Sequence, residues 1–150
     1  LQNEIHRSAR YGRPLGLIML DVDHFKKIND THGHPGGDAM LIELSKRVRK
    51  ALRREDLPAR YGGDEIAIIL PETKPIGVLA VSHRLFAILR ESDFVYEGKK
   101  VKVEVSMGAA SYEGKQSLTE FMAAADKALY KAKNAGKNRV ETTIRVKPQT

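Results

Sequence analysis

The stretch Arg60-Tyr61-Gly62-Gly63-Asp64-Glu65-Ile66 constrains this chain more than any other. Two glycines lead into two carboxylates and then into the apolar run Ile66-Ala67-Ile68-Ile69-Leu70, which reads as a tight turn opening a buried strand. A preceding strand, Leu57 to Tyr61, completes a hairpin whose tip carries Asp64 and Glu65. Glycine accepts positive φ and has no side chain, so a ligand can come close to the main chain at such a tip. The same turn also serves simply as a turn, and its meaning depends on what the rest of the chain brings to it.

A second pair of acids follows the apolar run Leu15 to Leu20. There Asp21-Val22-Asp23 ends a buried strand, and residues two apart on a strand point the same way. Before it, the spacing Leu1, Ile5, Ala9 predicts the last turns of a helix, ended by Gly12-Arg13-Pro14. After it, Phe25 to Asp30 predicts a helical turn or two, broken by the loop Thr31 to Gly37. Asp38 stands where an N-cap would, ahead of a helix with the apolar stripe Met40, Leu41, Leu44, Val48, Leu52 and a basic far end.

Further along, Ile76 to Arg90 predicts a second amphipathic helix. Val101, Val103 and Val105 alternate with Lys102 and Glu104 and run into Ser106 to Ala110, which predicts one long half-buried strand paired with Phe94-Val95-Tyr96. Leu118 to Lys133 predicts a third helix, ended by Asn134-Ala135-Gly136, and Arg139 to Val146 a last strand.

Composition narrows the class. A chain of 150 residues, 41% hydrophobic and 30% charged, suits one domain over residues 1–150. No run of eighteen apolar residues and no charged-then-apolar leader is found, so neither a membrane span nor a signal peptide is expected in this piece. The absence of Cys excludes disulfides and thiolate metal sites. A net charge of +7 and a pI of about 9.7 favour an anionic partner such as nucleotide phosphate, nucleic acid or lipid head group. Nucleic acid is disfavoured, because only 6% of residues are aromatic and the acid cluster would have no use.

Taken together, Asp21-Val22-Asp23-His24-Phe25-Lys26-Lys27-Ile28-Asn29-Asp30, Gly33-His34, Gly37-Asp38, Arg60 to Glu65, Ala125 to Lys133 and Gly136-Lys137-Asn138 resemble the GGDEF family of diguanylate cyclases over nearly the whole chain. The resemblance implies an α+β, palm-like fold with a mainly antiparallel five-stranded sheet flanked by helices. It implies condensation of two GTP into cyclic di-GMP with release of pyrophosphate, by two facing domains in a homodimer. It also implies that the chain is the truncated C-terminal output domain of a longer sensor protein, working in the cytoplasm whether or not the whole protein is membrane-anchored.

Attack of a ribose 3′-hydroxyl on an α-phosphate suits two divalent cations about 3.5–4 Å apart with hard oxygen ligands. The resemblance assigns two Mg2+ (or Mn2+) per site to Asp21, Asp64 and the Val22 carbonyl. Asp23 either joins these or only orients them, and Glu65 is either a ligand or the group that helps remove the 3′ proton. By the same resemblance, Asn29 and Asp38 read guanine, since a carboxylate can accept from N1 and N2 where adenine offers no match. The main-chain N–H groups of His24 and Phe25, with Lys26, Lys133 and Lys137, are the expected phosphate contacts. Lys137 departs from the family's usual Arg and gives up its planar fork. Ile66 departs from the usual Phe, a change of packing. No His spacing predicts zinc.

Arg53 and Asp56 match the family's product-inhibition motif Arg-x-x-Asp, and Arg84 resembles the arginine that completes that site. An idle domain that only binds GTP or cyclic di-GMP is the alternative, and the intact Asp21, Asn29, Asp38, Asp64 and Glu65 weigh against it.

Overall fold

The computed structural model describes residues 2–145. In chain order the elements are α1 (Gln2–Tyr11), β1 (Leu15–Val22), α2 (Phe25–Ala51), β2 (Leu57–Arg60), β3 (Glu65–Pro71), α3 (Pro75–Glu91), β4 (Phe94–Tyr96), β5 (Lys99–Val101), β6 (Val105–Ser111), α4 (Leu118–Asn134) and β7 (Val140–Thr142). Five strands form one sheet in the order β2-β3-β1-β6-β7, and β4 with β5 forms a separate hairpin. All pairs are antiparallel except β6 with β7. That one parallel pair is joined by α4, the long crossover that parallel neighbours require. The predicted α+β class and mainly antiparallel five-stranded sheet are therefore observed.

β1 is the central strand, so both its faces are apolar. Ile18, Leu20 and Val22 pack with Ile66, Ile68 and Leu70 of β3 under Leu44 and Val48 of α2 and Val78 and Leu85 of α3. Leu15, Leu17 and Met19 pack with Ala67 and Ile69 under Phe121, Ala125 and Leu129 of α4 and Ile5 of α1. By the two-residue alternation of strands, Asp21 on β1 and Glu65 on β3 continue this second face, the one that α4 covers. They are also direct cross-strand partners.

The chain departs from its sequence reading in three places. The expected loop after Asp30 is instead a kink: α2 runs from Phe25 to Ala51, and only Gly33, at φ 75° and ψ 168°, leaves helical geometry. Pro35 then falls in the first turn after the kink, where its missing N–H costs nothing. Asp38 accordingly lies inside the helix and is not its N-cap. The expected long strand through Val101 and Val105 is divided, because residues 102–104 carry the chain from the β4–β5 hairpin to the main sheet. β6 is buried along its whole length, not half-buried. The final strand is shorter than predicted, and Val146 lies outside the described residues.

The basic end of α2 has a structural use. Arg47 donates to the Ser92 and Asp93 carbonyls at 2.7 Å each and stacks 3.8 Å over the Phe94 ring, tying α2 to β4. Among the described residues no helix is long and apolar enough to cross a membrane.

Candidate functional site

The two acid pairs predicted from sequence meet at one edge of the sheet. The Val22 amide donates to the Asp64 carbonyl at 3.2 Å, which brings the hairpin tip against the end of β1. The turn itself closes through the Tyr61 amide on the Glu65 carbonyl at 3.0 Å. Asp21 is largely enclosed there. Its Oδ2 lies 3.2 Å from Lys133 Nζ, whereas its Oδ1 is buried with no hydrogen-bond partner. Burial pushes the Asp21 carboxyl up to about 6, the adjacent Asp64 carboxyl adds to the rise, and Lys133 opposes it.

An orphaned carboxylate oxygen beside a second carboxylate is a donor set that suits a hard divalent cation. Among the described residues no group of three or more His, Cys, Asp or Glu side chains is gathered closely enough to hold a metal ion. Side-chain ligation by Asp21 and Asp64 would thus leave room for backbone and substrate oxygens, as magnesium sites usually do.

Glu65 is half-buried, and burial pushes its carboxyl up, followed by the charges of Asp126 and Asp64. Asp126 itself is raised by burial. It was not singled out in the sequence, although it precedes Lys133 by two helical turns and so shares its face of α4.

Asp23 is only 3% exposed, and both of its oxygens are bonded within the protein. Its Oδ1 accepts from Ser106 Oγ and Lys133 Nζ, each at 2.7 Å, and its Oδ2 accepts from the Asn138 amide at 2.8 Å. Burial alone would raise this carboxyl, but the bonds from Lys133, Ser106 and Asn138 outweigh it and hold it below its usual range. Lys133 is raised in turn: burial works against its charge, and the Asp23 and Asp21 carboxylates overcome that.

The residues expected to contact phosphate lie at the start of α2 and the end of α4. His24 occupies the N-cap in a left-handed conformation (φ 55°, ψ 36°) with no side-chain cap bond, so the first amides of α2 are left for another acceptor. Lys26 is exposed in the first turn, and Lys137 is half-buried just beyond α4. Neither forms an ion pair among the described residues.

Asn29 and Asp38 belong to the two halves of the kinked helix. A Cβ on Gly37 would fall 1.8 Å from Asn29 Oδ1, so the second half of α2 lies directly on the Asn29 side chain. That Oδ1 is buried and unpartnered, and Asp38 next to Gly37 is exposed.

Arg53, Asp56 and Arg84 gather elsewhere, at the C-terminal end of α2. Asp56 is fully buried and accepts from the Arg53 amide at 2.9 Å and from its guanidinium at 3.1 Å. Arg53 also donates to Thr73 Oγ1 at 2.8 Å, while about 44% of its side chain stays exposed. Arg84 donates to the Ala51 carbonyl at 3.2 Å from an exposed position. The two arginines thus share one corner, with the Asp56 carboxylate turned inward onto Arg53.

Comparison with known proteins accords with this geometry. Residues 1–139 match the family described as diguanylate cyclase, GGDEF domain, and the chain belongs to that family. It is 39% identical over 137 residues to Diguanylate cyclase A of Treponema denticola, covering 91% of this chain and 37% of that protein. It is 38% identical over 141 residues to Diguanylate cyclase DgcP of Pseudomonas aeruginosa, covering 94% of this chain and 21% of that protein. The chain therefore spans well under half the length of these relatives. The GGDEF domain of DgcB from Caulobacter crescentus, solved in complex with c-di-GMP, matches at a TM-score of 0.89 and 29% identity, over 95% of this chain and 85% of that one. The diguanylate cyclase SiaD of Pseudomonas aeruginosa, solved with its activator SiaC, matches at a TM-score of 0.89 and 33% identity, over 94% and 54%.

Proposed function

We propose that this domain joins two molecules of GTP into cyclic di-GMP and releases two pyrophosphates. The observation that carries the reading is the surplus of carboxylate at the hairpin tip: Asp21 with a buried unpartnered oxygen, beside Asp64 and within reach of Lys133. Asp21 and Asp64, with the Val22 carbonyl, would hold two Mg2+ or Mn2+ ions, which supply charge neutralisation at the α-phosphate and acidify the attacking hydroxyl. Glu65, raised by burial and by its acidic neighbours, is suited to take up the 3′ proton. The free amides of His24 and Phe25, with Lys26, Lys133 and Lys137, bind the triphosphate and keep the leaving pyrophosphate in line. Asn29 and Asp38 orient the guanine from either side of the Gly33 kink.

One such site holds one GTP, so ring closure needs two domains facing each other, each presenting its 3′-hydroxyl to the other's α-phosphate. The greater length of the relatives supports reading the domain as one unit of a longer protein, and on this reading the remainder is a sensor that pairs two copies with their cyclase domains in the cytoplasm. Cyclic di-GMP bound at Arg53 and Arg84 would hold domains out of that facing arrangement, an inhibition at a distance from the substrate.

Incubation with GTP and Mg2+ should yield cyclic di-GMP and pyrophosphate in a 1:2 ratio, with a rate per domain that rises with protein concentration. Added cyclic di-GMP should lower that rate, and excess GTP should not restore it. Binding of GTP without any product, by a folded and concentrated sample, would instead mark an idle binding module.

A further inference from the structure

The two acids of Asp21-Val22-Asp23 look equivalent in sequence, and the structure gives them different partners. Asp21 keeps an oxygen without a bond; Asp23 has none to spare. We propose that Asp23 is a positioning residue for phosphate binding and not a metal ligand: its carboxylate clamps Lys133 and the loop Gly136-Lys137-Asn138 against the ends of β1 and β6. The inference rests on the reading that Lys133 and Lys137 bind the GTP phosphates, and it extends that reading to the residue that sets where they stand.

The clamp has three arms. Ser106 on β6 and Lys133 on α4 meet Asp23 Oδ1, and the Asn138 amide meets Oδ2. An ammonium has three N–H donors. Asp23 takes one of those on Lys133, Asp21 Oδ2 pairs with the same ammonium at 3.2 Å, and at least one donor is left for an anion. The loop beyond α4 depends on the third arm. Gly136, Lys137 and Asn138 have φ values of 117°, 64° and 50°, a run of left-handed backbone in which two members carry side chains. The Lys137 amide returns to the Ala132 carbonyl at 2.9 Å, and Arg139 Nε donates to the Lys137 carbonyl at 3.1 Å. Both of those bonds are local to the loop and helix. Two bonds tie the loop exit to the sheet, the Asn138 amide on Asp23 and the Met107 amide on the Arg139 carbonyl at 2.9 Å, and the first is the one nearer Lys137.

Asn is the discriminating substitution at this site. It keeps the size of Asp23 but presents one acceptor and one NH2 group, so in either orientation of the amide a donor faces Lys133 or the Asn138 N–H. Asp23→Asn should therefore raise the KM for GTP about tenfold or more, the scale of one lost charge-assisted bond. Its kcat at saturating GTP should fall by less than the KM rises, because Lys133 and Lys137 also face the leaving pyrophosphate, and the Mg2+ concentration giving half the maximal rate should stay within about threefold of the parent. Asp21→Asn, assayed beside it, should lose kcat instead. A collapse of kcat in Asp23→Asn with KM unchanged would make Asp23 a metal ligand and overturn the proposal; unchanged kcat and KM would make it a spectator and overturn it as well.

A second measurement uses the unsubstituted protein and needs no turnover. Hydrogen exchange by NMR should show the Asn138 amide strongly protected, and exchange at the rate of a free peptide would remove the clamp. If the parent makes no product from GTP, the proposed activity fails while the Asn138 amide still decides the clamp.

Discussion

At the end of β1, Asp21 keeps one carboxylate oxygen without a partner while Lys133 holds the other; at the end of α2, Asp56 spends both of its oxygens on Arg53. Both places set an Asp against a cation, and both were marked in the sequence as ligand sites. In the first, acids outnumber the cation near them, and the imbalance lifts the Asp21 carboxyl to about 6. In the second the pair is balanced, and the exposed part is the outer face of Arg53 with Arg84 beside it. The imbalance suits the cation proposed for the first site, whereas the exposed donors of the balanced corner suit the anion proposed there. Where a charge cluster leaves a group unsatisfied tells which ligand it is built for.

The largest expected effect breaks the first region. Asp21→Asn or Asp64→Asn should lower cyclic di-GMP synthesis by about 100-fold or more, because each removes a carboxylate proposed to hold the cations. Circular dichroism should show either variant folded, since a turn-tip or strand-end acid contributes little packing. Next comes the contact of Gly37 with Asn29, where the base is proposed to bind. Gly37→Ala would put a methyl group 1.8 Å from Asn29 Oδ1, and kcat/KM for GTP should fall about 100-fold, the cost of an ångström-scale displacement. Asp38→Ser should relax the preference for GTP over ATP by about tenfold or more, read from competition between the two nucleotides.

The balanced corner should respond differently. Arg53→Ala should abolish inhibition by cyclic di-GMP and also cost about 1–3 kcal/mol in urea denaturation, because the buried Asp56 carboxylate loses its guanidinium partner. Among the described residues Arg84 hydrogen-bonds the Ala51 carbonyl alone, from an exposed position, so Arg84→Ala should weaken inhibition while stability stays within about 0.5 kcal/mol. Equal stability losses in the two variants would erase the distinction between a shared structural arginine and a free one.

Much of this contrast was legible in the sequence, and the rest was not for physical reasons. The apolar runs ending in Asp21 and beginning at Ile66 fixed β1, β3 and the hairpin, because a central strand buried on both faces leaves a continuous hydrophobic signal. α3 and α4 followed from their amphipathic spacing. The continuity of α2 was hidden, since Gly36 and Gly37 read locally as breakers; both are buried, and their use is the close approach of Asn29, His32 and Tyr96. The break at residues 102–104 was hidden too, because the alternation of Val101, Val103 and Val105 continues unchanged while the chain passes from one sheet to another. Asp126 and Asn138 lie in motifs that carry the family resemblance, yet neither they nor Ser106 gave a local sign of which residue they meet. Their partners Asp23 and Glu65 stand 61 to 115 positions away, and only the packing of α4 on the sheet brings them together.

The smallest effect is one of pH. A carboxyl whose folded pKa is raised stabilises the fold most below its unfolded value of 3.8, and that contribution is lost as pH rises through about 6. Glu65 and Asp126 act in the same direction, and Asp23, held low, contributes at more acidic pH with the opposite sign. Without divalent cations, the parent should therefore gain less thermal stability than Asp21→Asn when pH is raised from 4 to 7, a difference of a few degrees read by thermal melts.

The central claim is that Asp21 and Asp64 form a cation site held in tension by its own charge. Its most direct test is the affinity for Mn2+, followed by electron paramagnetic resonance between pH 5 and pH 7 in the parent and in Asp21→Asn. The account predicts that binding to the parent tightens as pH rises through about 6, as the Asp21 proton is given up to the metal, and that Asp21→Asn binds weakly with little pH dependence. Mn2+ binding of equal strength in both proteins, or binding to the parent that does not change across that range, would contradict it.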